Sequence, residues 1–334
     1  MGIRGTVQTI EHKSAVLEGN ALGDPEAREV CVYLPPEYKE TNRRFPVVYC
    51  LTGFTGSGVM FLNVEPWVPS LPQRLERLRD SGLAKPMILV MPDCFTRLGG
   101  SQYINSTATG RYEDYLVDEI IPFIDGRFRT LADPAHRGVM GKSSGGYGSI
   151  VQAMKHPEVF GAVACHSGDM YFEYCYLPDF PKAISGLQRH GGLFGFLKHF
   201  DAEPRKTTES LAVLNIIAMA ACYSPNPTRE TMGIDLPFKE ETGELRAEVW
   251  ERWLAHDPVR MLPSHADALR AARLVFLDCG TKDEWSLHLG ARIFTQRLRE
   301  LKVRHVHEEF EDGHMRITYR YDRSLALLSE ALGA

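Results

Sequence analysis

The chain has 334 residues, 44% apolar and 24% charged, with 38 Lys and Arg against 43 Asp and Glu for a formal charge of −5. That balance excludes a disordered chain, and with no run of five or more like charges to track phosphates, no nucleic-acid partner is expected. The longest weakly polar stretch, 211–223, is shorter than the roughly 20 apolar residues of a bilayer span, so it reads as a buried helix and no membrane partner is expected.

In chain order, residues 6–11 and 28–34 read as an antiparallel pair of strands, the second ended by Pro35-Pro36 because proline cannot donate to a ladder. Short continuous apolar runs then alternate with stretches of helical period, the pattern of a parallel sheet covered on both faces. The expected buried strands are 47–51, 87–91, 137–140, 161–165, 274–279 and 303–310. Between them, Leu71, Leu75 and Leu78, then Tyr115, Ile120 and Phe123, then Leu287, Ala291, Phe294 and Leu298 mark core-facing helices. The fold class is α/β. The alternation stops over 168–270, which reads as a helical, cap-like insertion in a single domain spanning 1–334. Its aromatics (Tyr171, Phe172, Tyr174, Tyr176, Phe180) and the helix near Leu211 are expected over a pocket, and the polar stretch 238–252 as a solvated helix.

Gly141-Lys142-Ser143-Ser144-Gly145 matches G-x-S-x-G, with a strand-like run before it and a helix-compatible run, 146–155, after it. That is the strand, sharp turn and helix of a nucleophile elbow, with small residues where bulky ones would collide. Ser143 is therefore the expected nucleophile, and the backbone N–H of Ser144, at the helix start, faces a developing oxyanion.

A serine hydroxyl is a weak nucleophile near neutrality and needs an imidazole to take its proton and a carboxylate to hold that imidazole in the useful tautomer. The chain order Ser, acid, His leaves His288, His305, His307 and His314 as bases. His288 lies in a helical pattern and His305 and His307 in a strand pattern. His314 follows Glu311-Asp312-Gly313 in a loop after the last strand, where α/β folds present catalytic groups. For the acid, Asp283 lies in the loop beyond the strand 274–279, and position favours it over Asp278 and Glu284. The loop Thr52-Gly53-Phe54-Thr55-Gly56 after an early strand makes the Phe54 N–H the second expected oxyanion donor. Tyr103, Asn105 and Trp285 are candidate substrate contacts.

With these residues in place, the chain resembles the esterase D group of α/β-hydrolases, which includes S-formylglutathione hydrolases, feruloyl esterase domains and mycobacterial mycolyltransferases. The resemblance covers most of the chain. It rests on Val32-Tyr33-Leu34-Pro35-Pro36, Phe45-Pro46-Val47-Val48, Met91-Pro92-Asp93, Tyr112-Glu113-Asp114-Tyr115, Gly141 to Gly146, His156-Pro157-Glu158-Val159-Phe160, and the Gly280 and Gly313-His314 segments. It implies an α/β-hydrolase fold, with Ser143, Asp283 and His314 as nucleophile, acid and base, and it disfavours Asp278. Three features depart from the group: Thr52 stands where many members have histidine, Lys142 where many have histidine or leucine, and the insertion is long. The fuller S-formylglutathione hydrolase motifs are not found.

The expected activity is hydrolysis of a small-molecule carboxylic ester through an acyl-enzyme, falling as His314 becomes protonated, with no metal and no organic cofactor. The alternatives are acyl transfer or thioester hydrolysis on the same triad, and a catalytically silent binding protein. The sequence leaves a homodimer open. Seven cysteines (Cys31, Cys50, Cys94, Cys165, Cys175, Cys222, Cys279), without a C-x-x-C pair, read as buried thiols, and with no secretory signal visible a cytoplasmic location is expected. Met1-Gly2-Ile3-Arg4-Gly5-Thr6 and Asn105-Ser106-Thr107 fit the short myristoylation and glycosylation patterns and are treated as chance matches.

Overall fold

A computed structural model describes residues 2–63, 65–229 and 232–333; Met1, the start of the myristoylation-like pattern, lies outside the described residues. Eight strands form one sheet: β1 (Thr6–Lys13), β2 (Ala27–Leu34), β3 (Val47–Leu51), β4 (Ile88–Pro92), β5 (Arg137–Lys142), β6 (Ala162–His166), β7 (Leu274–Gly280) and β8 (Val306–Phe310). Their order across the sheet is β1-β2-β4-β3-β5-β6-β7-β8. The β1/β2 and β2/β4 pairs are antiparallel and every other pair is parallel, so the first two strands form the expected antiparallel lead-in.

The continuous apolar runs are explained by burial on both sides. Along β3, Val47, Tyr49 and Leu51 join one core cluster and Val48 and Cys50 the other, as the two-residue period of a strand requires. Helix α1 (Leu71–Asp80) covers the second cluster with Leu71, Leu75 and Leu78, and its Ser70/Gln73 capping box fixes where it starts. Helices α2 (Ile121–Arg127) and α3 (Ser144–Lys155) cover the opposite face. The stripe expected from Tyr115, Ile120 and Phe123 is helical, but Tyr115–Ile120 is wound in wider, π-type turns before α2.

Between β6 and β7 lie α4 (Phe180–Arg189), α5 (Leu193–Ala202), α6 (Thr208–Tyr223), α7 (Ala247–Leu254) and α8 (Pro258–Ala271). Helix α6 is buried, as its apolar sequence implies. It packs on α4 and on two small hairpins, Phe95–Thr96 with Gly99–Gly100 and Asn105–Ser106 with Gly110–Arg111, which the sequence did not signal. The polar stretch 238–252 departs from expectation. Its helix starts only at Ala247 and buries Val249, Trp250 and Trp253, because three tryptophan and valine side chains on one face outweigh the polar average. Helix α8 packs on α3 and on α9 (Leu287–Glu300), so it closes the sheet's face in the manner of a crossover helix. Helix α10 (Tyr321–Leu332), which the sequence reading did not single out, lies beside α1 and buries Tyr321, Leu325, Leu328 and Leu332.

All seven cysteines are buried and unpaired. Among the described residues no helix is long and apolar enough to cross a membrane.

Candidate active site

The carboxyl ends of β3, β5, β6, β7 and β8 meet at one rim, and the expected site residues lie in the loops that leave it. At the end of β5 the chain turns into α3 through Ser143, whose backbone is forced to φ 59°, ψ −127°. A non-glycine residue at such a φ is strained, and it persists where its surroundings over-determine it. Here the Ser143 N–H donates to the His166 carbonyl at 2.9 Å, and β3 presses on the turn. A Cβ on Gly145 would stand 2.1 Å from the Leu51 carbonyl oxygen, so only glycine allows the elbow to close against β3.

The loop after β3 passes beside the same serine. A Cβ on Gly53 would lie 3.4 Å from the Ser143 Cβ. The loop is held by the Thr52 hydroxyl, which donates to the Gly56 carbonyl at 2.8 Å, and by the Tyr103 hydroxyl, which donates to the Thr52 carbonyl at 2.7 Å. Thr52, one of the departures from the esterase D pattern, thus closes its own turn. The amides of Phe54 and Ser144 donate to no acceptor among the described residues.

Beyond β7, Asp283 accepts from the amide of Trp285 through Oδ1 at 2.9 Å, and its Oδ2 lies 2.8 Å from His314 Nδ1. The pair is dry, with side-chain exposures of 0% for Asp283 and 5% for His314. Burial pushes the Asp283 carboxyl up, but the hydrogen bond and charge of His314 and the amides of Trp285 and Leu287 outweigh it, leaving the group below the ordinary aspartate value. An ionised acid on Nδ1 fixes the imidazole tautomer whose Nε2 is free to accept a proton. The Trp285 ring stands edge-on to the His314 ring, centroids 4.8 Å apart.

Two of the expected substrate contacts are bonded within the protein. Tyr103 is 3% exposed and committed to Thr52, so it supports the loop after β3. Asn105 accepts the amides of Glu113 and Asp114 and donates to the Asp114 carboxylate at 2.7 Å, so its side chain fastens a hairpin. Trp285 packs against His314 and is partly exposed.

Three of the rival groups, Asp278, His305 and Glu284, are otherwise engaged. Asp278 holds His166 Nδ1 at 2.7 Å and Arg320 Nε at 2.7 Å, and His166 Nε2 in turn meets the Ser324 hydroxyl at 2.8 Å, all on the α10 face of the sheet. His305 Nδ1 lies 2.8 Å from the Val303 carbonyl. Glu284 has a role the sequence did not reveal: its carboxylate accepts the His314 backbone N–H at 2.6 Å, so it fastens the loop carrying His314 to the loop carrying Asp283. A Cβ on Gly313 would come 2.7 Å from that carboxylate, which accounts for glycine before His314. Lys142 forms no ion pair among the described residues; burial lowers it, while Asp283, Glu284 and Asp169 act to raise it. Among the described residues no group of three or more His, Cys, Asp or Glu side chains is arranged to hold a metal. A cavity of about 620 Å³ lies elsewhere, between α5 and the loops carrying Leu22 and Leu98, and no expected site residue lines it.

The Esterase family model matches residues 21–322. An esterase of Mycobacterium tuberculosis is 31% identical over 140 residues, which make up 42% of this chain and 28% of that protein. An endo-1,4-beta-xylanase/feruloyl esterase of Xylanibacter ruminicola is 31% identical over 144 residues, 42% of this chain and 19% of that protein. The chain thus matches less than a third of either relative's own length. Among solved structures, a ferulic acid esterase aligns over 99% of this chain and 100% of its own, with a TM-score of 0.66 at 19% identity. The S-formylglutathione hydrolase from Agrobacterium tumefaciens aligns over 100% and 98%, with a TM-score of 0.61 at 18% identity. At such identities these likenesses show the fold, which is the α/β-hydrolase fold read from the sequence.

Proposed function

Because the chain belongs to the Esterase family, we propose that it hydrolyses carboxylic esters by two-step acyl transfer on Ser143, His314 and Asp283. The observation that carries this reading is the dry Asp283–His314 pair, 2.8 Å apart, at the rim where the strained Ser143 elbow emerges.

In the first step the Ser143 oxygen attacks the ester carbonyl carbon while His314 Nε2 takes the hydroxyl proton. The carbonyl oxygen becomes an oxyanion that the unengaged amides of Phe54 and Ser144 are placed to receive. Collapse of this intermediate breaks the bond to the alcohol, which leaves with the proton from the imidazolium. Water then attacks the acyl-serine by the same route and releases the acid. Asp283, held ionised, stabilises the imidazolium in both steps. The segment 168–270 is proposed as a cap-like insertion of a single domain, supported by the packing of α4 on α5 and α6 and of α6 on the small hairpins beyond β4.

The test is covalent labelling with a fluorophosphonate alongside turnover of simple esters. The wild type is expected to label and to hydrolyse, and Ser143→Ala to do neither. A folded wild type that takes up no label would overturn the reading. Product analysis with competing alcohols separates hydrolysis from acyl transfer.

A further inference from the structure

Beyond β6 the chain folds back over the start of α3, so closely that a Cβ on Gly146 would lie 3.0 Å from the Gly168 Cα. Asp169 follows and is 8% exposed. Its Oδ2 accepts from Gln102 Nε2 at 3.1 Å and from the Tyr176 hydroxyl at 2.9 Å. Gln102 is set for this by a left-handed backbone, φ 54°, followed by another at Tyr103, φ 56°, and Gln102 Nε2 also meets the Tyr223 hydroxyl at 2.7 Å. Two consecutive non-glycine residues in that region mark a segment whose conformation is imposed by its surroundings.

The other oxygen of Asp169, Oδ1, has no partner among the described residues and is not sealed from solvent. No cation forms an ion pair with this carboxylate among the described residues, although it is nearly buried. Burial raises its carboxyl above the ordinary value, and three residues before it the His166 carbonyl accepts the Ser143 N–H at 2.9 Å, which brings this turn against the elbow. Lys142 interacts electrostatically with Asp283, Glu284 and Asp169 alike. The rim therefore carries three carboxylates against one ammonium. A buried carboxylate with an unengaged oxygen gains most from a ligand that brings a donor, and more from one that also brings positive charge.

Resting on the esterase reading, we propose that Asp169 Oδ1 anchors a substrate subsite beside Ser143 for a hydrogen-bond-donating substituent, an ammonium in preference to a hydroxyl, on the acyl or alcohol part of the ester. Gln102 and Tyr176 act as positioning residues that aim the carboxylate.

Three acetates of the same shape test this on the alcohol side: 3-methylbutyl, 3-hydroxy-3-methylbutyl and 2-(dimethylammonio)ethyl. Methyl 4-methylpentanoate and methyl 3-(dimethylammonio)propanoate test it on the acyl side. The readout is the kcat/KM ratio of the charged ester to its neutral counterpart, in wild type and in Asp169→Asn. In one of the two series that ratio is expected to fall by about tenfold or more in the variant, since a charge-assisted hydrogen bond is lost. The hydroxyl ratio should fall less, because a hydrogen bond from a neutral donor to the carboxylate is worth less than one from a cation. A change under twofold in both series overturns the subsite while leaving the esterase reading intact, whereas a wild type that neither labels nor turns over any ester overturns the esterase reading itself. Should Asp169→Asn not fold, wild type alone decides. On the alcohol side 2-(dimethylamino)ethanol is expected to slow fluorophosphonate labelling at lower concentration than 3-methylbutanol, and on the acyl side 3-(dimethylamino)propanoate at lower concentration than 4-methylpentanoate. Equal potency in both pairs overturns the proposal.

Discussion

Asp278 and Asp283, five residues apart, each hold an imidazole by Nδ1, at 2.7 and 2.8 Å, and the imidazole held by Asp278 also meets the Ser324 hydroxyl at 2.8 Å. Burial and side of the sheet distinguish them. Asp278, His166 and Ser324 are at most 1% exposed and sit under α10, with Arg320 as a further partner for the acid, so no ester reaches them. Asp283 lies past the strand, where its partner His314 shares the rim with Ser143. Asp283→Asn is therefore expected to reduce kcat by about 10⁴-fold with a folded spectrum, because an amide no longer fixes the imidazole tautomer. Asp278→Asn is expected to leave ester turnover within a few-fold and instead to destabilise the protein by about 3–5 kcal/mol, since one member of a buried charged set is removed. Urea unfolding beside ester kinetics on the two variants checks both halves, and a reversed pattern would move the acid's role to Asp278. At this scale the sequence was readable only for residues whose role follows from chain order and loop position. Glu284, Gln102 and Asp169 take their roles from partners 30 to more than 60 residues away, and no local pattern announces such a pairing.

At the level of elements, strands were legible because two-sided burial writes itself as unbroken apolar runs; 47–51 coincides with β3, and the others shift by only a residue or so at most ends. The exception is 303–310, whose strand begins at Val306. Residues before it finish α9 instead, with the Val303 amide donating to the Leu298 carbonyl at 2.8 Å. Helix α10 escaped notice because its stripe of Tyr321, Leu325, Leu328 and Leu332 is interrupted by polar residues, two of which, Ser324 and Ser329, are buried as well. The elbow is the element on which the site depends most. Its sharpness comes from β3 and α3 meeting at Gly145, so Gly145→Ala must push the turn off the Leu51 and Thr52 carbonyls. That variant is expected to lose fluorophosphonate labelling by at least about a hundredfold, the scale of losing an oxyanion donor, through displacement of the Ser144 amide. Near-normal labelling of Gly145→Ala would show that the elbow relaxes without moving that donor.

Across the whole molecule, the family match, the fold of the solved structures and the motif-level resemblance to the esterase D group agree on one architecture, an α/β-hydrolase sheet carrying a helical segment between its sixth and seventh strands. Among the groups that tie the lead-in strand to that sheet's helices is one buried carboxylate. Glu76, on α1 and 5% exposed, accepts the backbone amides of Arg4 and Gly5 and the Tyr33 hydroxyl, at 2.7 to 3.0 Å. Burial pushes its carboxyl up, but these bonds outweigh burial and leave it below the ordinary glutamate value. A folded-state value depressed in this way contributes stability that is complete above the unfolded carboxylate value, about 4.3, and that is lost as pH falls through the lower folded one. Glu76→Gln is thus expected to lower the urea midpoint clearly at pH 7, where the ionised clamp is intact in wild type. As pH falls below about 4, wild type should descend toward the variant and the two midpoints converge, because protonation removes from the wild type the charge that the substitution already lacks. Parallel urea titrations of both proteins from pH 7 to pH 3 make the measurement; a gap that stays constant over that range would mean that Glu76 holds the lead-in by packing alone.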